Sequence, residues 1–207
     1  MTTSTILYFL GASVALTLSP GPDNTFVIAQ GIARGRKAAV ITALGMCSGI
    51  SVHTTAAALG ISAVLYSSTT AFMILKYAGA AYLLYLAYKA LKENQGVMLQ
   101  KVTGEQGWWV LFRRGFIMNV INPKVALFFL AFLPQFVSGH SGNAAAQMLL
   151  LGFIFMAQAI IVFGAIGFLS GSVGNAVLRR PRMARYFAWL SAGVFASLGI
   201  RLALAER

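Results

Sequence analysis

The chain has 207 residues, 58% of them hydrophobic and only 10% charged, with a formal net charge of +12. A soluble domain carries about 25% charged residues, so most of this surface does not face water and no separate soluble domain is expected. Nucleic-acid binding needs a basic face on a water-soluble fold; here the cations lie in short clusters between apolar runs, the pattern of membrane topology.

A spanning helix needs about 20 mainly apolar residues. Six stretches qualify, at residues 6–32, 38–66, 71–91, 115–137, 144–172 and 186–205. The predicted fold is therefore all-α and integral to the membrane: a single domain over residues 1–207 with about six transmembrane helices, its physical partner the lipid bilayer. The first stretch lacks the basic n-region of a signal peptide and is read as a retained helix. It is interrupted near its middle by Ser19-Pro20-Gly21-Pro22-Asp23-Asn24. The second carries the lone cysteine, Cys47, which excludes an internal disulfide and paired-cysteine redox chemistry, and a lone histidine, His53. Lys76 opens the third and can snorkel to an interface. The fourth is interrupted by Asn122-Pro123-Lys124, and Asn119 and Gln158 are polar groups inside the fourth and fifth. The first, second and fifth are long enough to be tilted or broken.

The connections sort by charge. Arg34, Arg36 and Lys37 follow the first stretch; Lys89, Lys92, Lys101, Arg113 and Arg114 surround the link between the third and fourth; Arg179, Arg180, Arg182 and Arg185 join the fifth to the sixth. Residues 67–70 and 138–143 contain no Lys or Arg. Six spans place all the basic loops on one face, which the positive-inside rule makes cytoplasmic; Arg201 and Arg207 at the far end dissent. Gly45 with Gly49, and Gly167 with Gly171, would let helix backbones approach closely, within one copy or between copies of a homo-oligomer.

The basic segment divides the chain into halves of three spans, about 1–91 and 113–207, joined by a cytoplasmic link at about 92–112. Three is odd, so the second half enters from the opposite side, which makes the pair a candidate inverted repeat, the arrangement in which broken helices meet at a transport site. Proline removes a backbone donor and clashes with the preceding turn, so Pro20 and Pro22 around Gly21, and Pro123, should unwind their helices. Ser19 and Asn122 can each cap a half-helix that begins at the following proline. Such an end offers free N–H groups to a carboxylate. Asp23, beside Asn24, is the only carboxylate inside any stretch. A charge near the bilayer centre costs about 2.5–3.5 kcal/mol on insertion scales, so it needs a partner, and Lys124 is the candidate. Burial disfavours the charged carboxylate and a nearby ammonium favours it; held between the two, Asp23 can exchange protons. The bland reading is a permanent ion pair of Asp23 with Lys124. His53 is a secondary candidate for proton handling.

These stretches resemble the lysine exporter family, LysE/RhtB, whose members export amino acids and derivatives. The resemblance is carried by residues 19–24, 31–37, Ala43-Leu44-Gly45, 49–53, 77–86, 112–124 and 128–136, and is closest to the homoserine/threonine-exporter branch. It implies an inner-membrane transporter, not an enzyme, that needs no cofactor or metal and exchanges a small amino acid for protons. It also implies Asp23, Asn122, Pro123 and Lys124 as mechanistic positions. A non-transporting membrane subunit and an importer of the same architecture are the competing expectations.

Overall fold

A computed structural model of the chain describes residues 1–19, 21–61, 69–92, 107–137, 143–178 and 181–204, and among them every regular element is helical. Helix α1 runs over Thr3–Leu18, α2 over Pro22–Arg34 and α3 over Arg36–Ala56, continuing as a π-helical turn at Ala57–Ile61. Helix α4 covers Thr69–Lys92 and α5 Trp108–Val120. The short α6, Pro123–Leu127, continues as a π-helical segment at Phe128–Phe132 and a 3-10 turn at Leu133–Phe136. Helices α7 and α8 span Ala144–Leu178 and Pro181–Leu204.

Two of these runs, Arg36–Gly60 and Ala144–Ser170, are long and apolar enough to cross a membrane unaided. The α1–α2 pair and the α5–α6 pair pass the same test when each is taken as one bent span, with bends of 55° and 48°. Helices α4 and α8 have the length, 24 residues each, but carry Lys76, Lys89 and Lys92, and Arg182, Arg185 and Arg201. Of the three long stretches in the sequence, the first is broken, the second ends its described part in a π turn, and the fifth is one unbroken helix. Large apolar side chains such as Leu59, Ile161, Trp108 and Tyr186 lie on the exterior, where a soluble protein would need polar groups.

Glycine decides how closely the helices meet. A Cβ at Gly45 would lie 2.1 Å from the Phe112 carbonyl oxygen, and one at Gly115 2.2 Å from that of Thr42, so α3 and α5 pack backbone to backbone. Gly49 extends the same seam beside Asn119, and Gly167 of α7 rests against Ala39 of α3. The surroundings of Gly171 lie outside the described residues. Toward the C-terminal side of Lys124, buried Phe128, Phe129, Phe132 and Phe136 interlock with Phe9 of α1 and Phe155 of α7, at centroid distances of 5.0–6.0 Å. Cys47 is buried in the α3 core. Arg201, out of place by the charge pattern, has its guanidinium 5.5 Å from the Tyr8 ring centroid and 5.3 Å from that of Phe136, a cation–π contact that ties α8 to both other elements.

Candidate functional site

The two helix breaks lie side by side. The last carbonyls of a helix have no intrahelical donor, and at the end of α1 each one finds a partner. Ala15 accepts from the Ser19 N–H at 3.0 Å, Leu16 from Lys124 Nζ at 3.3 Å, and Thr17 and Leu18 from Asn24 Nδ2 at 3.1 and 3.3 Å. The Ser19 carbonyl accepts from both Asn24 Nδ2 at 3.2 Å and Lys124 Nζ at 3.3 Å. Lys124 therefore puts its ammonium on the negative end of the α1 dipole, where a cation is stabilised. Gly21 allows this closeness: a Cβ there would stand 3.3 Å from Lys124 Nζ.

Asp23 is buried in the first turn of α2, the positive end of that helix. Asn122 is the N-cap of α6. Its Oδ1 accepts from the Lys124 backbone N–H at 2.9 Å, and its Nδ2 donates to Asp23 Oδ2, a short hydrogen bond across 99 residues of sequence. The capping of α6 by Asn122 with Pro123 at its first position is the predicted one. At the first break the prediction is corrected. Ser19 ends α1 instead of starting the next helix, and Gly21 in extended conformation caps α2, with Pro22 as first residue. Asn24 explains the difference: its amide gathers the Thr17, Leu18 and Ser19 carbonyls and closes α1 there. Pro20 lies outside the described residues.

The expected partnership of Asp23 with Lys124 takes an indirect form, the ammonium lying within electrostatic reach of the carboxylate without a hydrogen bond to it. Both are buried at the site, but Asp23 is bonded to Asn122 while the hydrogen bonds of Lys124 Nζ go to carbonyls. Each charge is placed by a helix end of the opposite sign, and a neutral amide stands beside them. His53 of α3 donates its Nε2–H to the Asn119 carbonyl at 3.0 Å, since a carbonyl only accepts. It thus braces the last turn of α5, packs on Phe129, and lies within electrostatic reach of Asp23.

Gln158 of α7 completes the surround, with Nε2 donating to Thr17 Oγ1 at 2.9 Å. Thr17 itself was not singled out by the sequence, although its spacing of four from Ser13, just before the break, was a usable signal: each hydroxyl bonds back to the carbonyl four residues earlier. Buried oxygens without a partner remain on Ser19 (Oγ), Asp23 (Oδ1), Asn24 (Oδ1), Asn119 (Oδ1) and Gln158 (Oε1). Among the described residues, no group of three or more His, Cys, Asp or Glu could hold a metal ion.

Comparison with known proteins places this geometry in context. The chain is 28% identical over 198 residues to the homoserine/homoserine lactone efflux protein of Salmonella typhimurium, covering 96% of this chain and 95% of that one. It is 29% identical over 167 residues to the membrane protein YrhP of Bacillus subtilis, covering 76% of this chain and 79% of that one. A Vibrio cholerae membrane protein is 27% identical over 201 residues, 97% of each chain. No solved structure matches. The family model described as LysE type translocator matches residues 14–206, a stretch that contains both helix breaks and every hydrogen bond between them, and the chain accordingly belongs to the LysE type translocator family of membrane transport proteins.

Proposed function

We propose that this protein is a secondary transporter that exports a small neutral amino acid, of the homoserine or threonine type, in exchange for protons. The observation that carries the reading is the meeting of two broken helices around a buried carboxylate. Irregular backbone at membrane depth is tolerated where it lines a cavity or is satisfied by protein, and paired breaks of this kind form the sites of many secondary transporters. The relative in Salmonella typhimurium is named for efflux of homoserine and its lactone, which supports both the cargo class and the outward direction over import.

In this reading the molecule has six spans in two inverted halves, about 1–91 and 113–207, in the cell inner membrane with the basic loops cytoplasmic. The α5–α6 break mirrors the α1–α2 break, and the halves rock against each other about this contact. Asp23 takes up a proton from one side and releases it when cargo arrives. Asn122 is the donor that holds the carboxylate in place, and Lys124 keeps the end of α1 closed. The rival reading, a non-transporting subunit, has Asp23 and Lys124 facing a partner or each other with no cavity between them; the bond of Asp23 to Asn122 across the two breaks supports the transport reading.

The test is efflux of a panel of labelled neutral amino acids from vesicles containing the purified protein, with and without an imposed pH gradient. Gradient-driven efflux in the wild type and its loss in Asp23→Asn are expected. Efflux indifferent to the gradient, or full activity in Asp23→Asn, rules out the antiport mechanism.

A further inference from the structure

Two buried polar side chains have no part in the exchange of proton and cargo described above, His53 of α3 and Gln158 of α7. Each reaches the end of a broken helix that belongs, with the chain divided into two halves, to the other half. His53 donates through Nε2 to the Asn119 carbonyl in the last turn of α5, at 3.0 Å. Gln158 donates through Nε2 to Thr17 Oγ1 in the last turn of α1, at 2.9 Å. Within their own halves the two stand at matching places. Each is on the long helix that follows the break, and counted from Pro22 and Pro123 they differ by about one helical turn.

Both bonds continue toward the first turn of α2. The Asn119 carbonyl also accepts from the Asn122 N–H at 3.0 Å, and the Asn122 amide is the donor to Asp23 Oδ2. Thr17 offers its own carbonyl to Asn24 Nδ2 at 3.1 Å, and Asn24 follows Asp23 in the chain. The last turn of a helix has backbone groups without intrahelical partners, so a donor reaching in from a neighbouring helix fixes where that turn lies. The bond from His53 needs only an N–H at the Nε2 position, a demand that an amide meets as well as an imidazole. We infer that His53 and Gln158 are reciprocal positioning residues, each clamping the helix end at the other half's break. His53 sets Asn122 against Asp23, and Gln158 sets the Thr17 carbonyl against Asn24. His53 then acts as a hydrogen-bond donor and carries no proton of the cycle. This rests on the efflux reading and adds to it the contacts through which each half holds the other's break in register.

The experiment uses the same vesicles under the pH gradient, with rates taken per folded transporter, for His53→Gln, His53→Phe, Gln158→His and Gln158→Leu. The first and third keep an N–H donor near the Nε2 position; the other two keep bulk without a donor. Expected are efflux within about twofold of wild type in the donor-keeping pair and at least about fivefold slower in the donorless pair, the size of one lost buried hydrogen bond. His53→Gln as slow as His53→Phe overturns the inference by making His53 a proton carrier. Donorless variants within about twofold of wild type overturn it by making both contacts structural only. Should His53→Phe not fold, His53→Gln still decides, because a proton carrier loses gradient-driven efflux in it and a donor does not. A second readout needs no transport: amide hydrogen exchange, which reports local opening, should rise at least about fivefold over residues 119–124 in His53→Phe and over residues 15–19 in Gln158→Leu. Unchanged exchange there removes the clamps, whereas wild-type vesicles that carry no amino acid of the panel remove the efflux reading.

Discussion

Asn122→Ala removes two interactions at once, and their sizes follow from the geometry. Losing an Asn N-cap costs about 0.5–2 kcal/mol, here the bond from the Lys124 N–H to Oδ1. Losing the donor to Asp23 Oδ2 leaves a second oxygen of a buried carboxylate unpaired, at about 1–3 kcal/mol. The sum is about 1.5–5 kcal/mol, well above an ordinary surface change. The partner assignment is isolated by a double-mutant cycle with Asp23→Ala, read as unfolding free energy in mixed SDS and dodecylmaltoside micelles. Residues sharing a hydrogen bond couple by about 0.5–3 kcal/mol, so Asp23 and Asn122 should couple within that range. A parallel cycle of Asp23→Ala with Lys124→Met should also show coupling, because the ammonium lies within electrostatic reach of the carboxylate. A coupling between Asp23 and Asn122 below about 0.5 kcal/mol would refute the view that the amide holds the carboxylate.

Gly45→Leu and Gly115→Val should each prevent α3 and α5 from meeting and abolish the folded monodisperse peak in size-exclusion chromatography, because their Cβ atoms would overlap backbone carbonyls. Gly11→Ala and Gly164→Ala, with nothing within 4 Å of the added Cβ, should be neutral or stabilising by up to about 1 kcal/mol in thermal melts. Arg201→Ala should lower stability by about 0.5–1 kcal/mol through its lost aromatic contacts, and Arg201→Lys by less; equal losses would show that the rings do not matter. Buried Cys47 should resist a thiol reagent until the protein is denatured. With Cys47→Ala as background, single cysteines at Lys37 and Arg113 should be labelled from the cytoplasmic side only, and labelling from outside would invert the proposed orientation.

Much of this protein is determined by properties that act along the chain. Long apolar runs with four acidic residues in 207 have no stable arrangement in water. Pro22 and Pro123 cannot continue a helical ladder, so the breaks lie where those residues stand. A carboxylate within an apolar run needs a partner wherever it ends up, and Asp23 is the only one inside the six runs. Tertiary structure alone decided which groups satisfy which. Asp23 and Lys124 read as natural partners because opposite charges attract, but each is met first by a helix end, the positive start of α2 for the carboxylate and the negative end of α1 for the ammonium. Asn122 takes the carboxylate because it sits at the adjacent N-cap and has a donor to offer. Ser19 looked like the start of a helix and is the end of one, since Asn24, five residues on, folds back to close α1. The pairings of Thr17 with Gln158 and of Gly45 with the Phe112 backbone follow from how closely particular helices approach, and that distance is a property of the packed bundle.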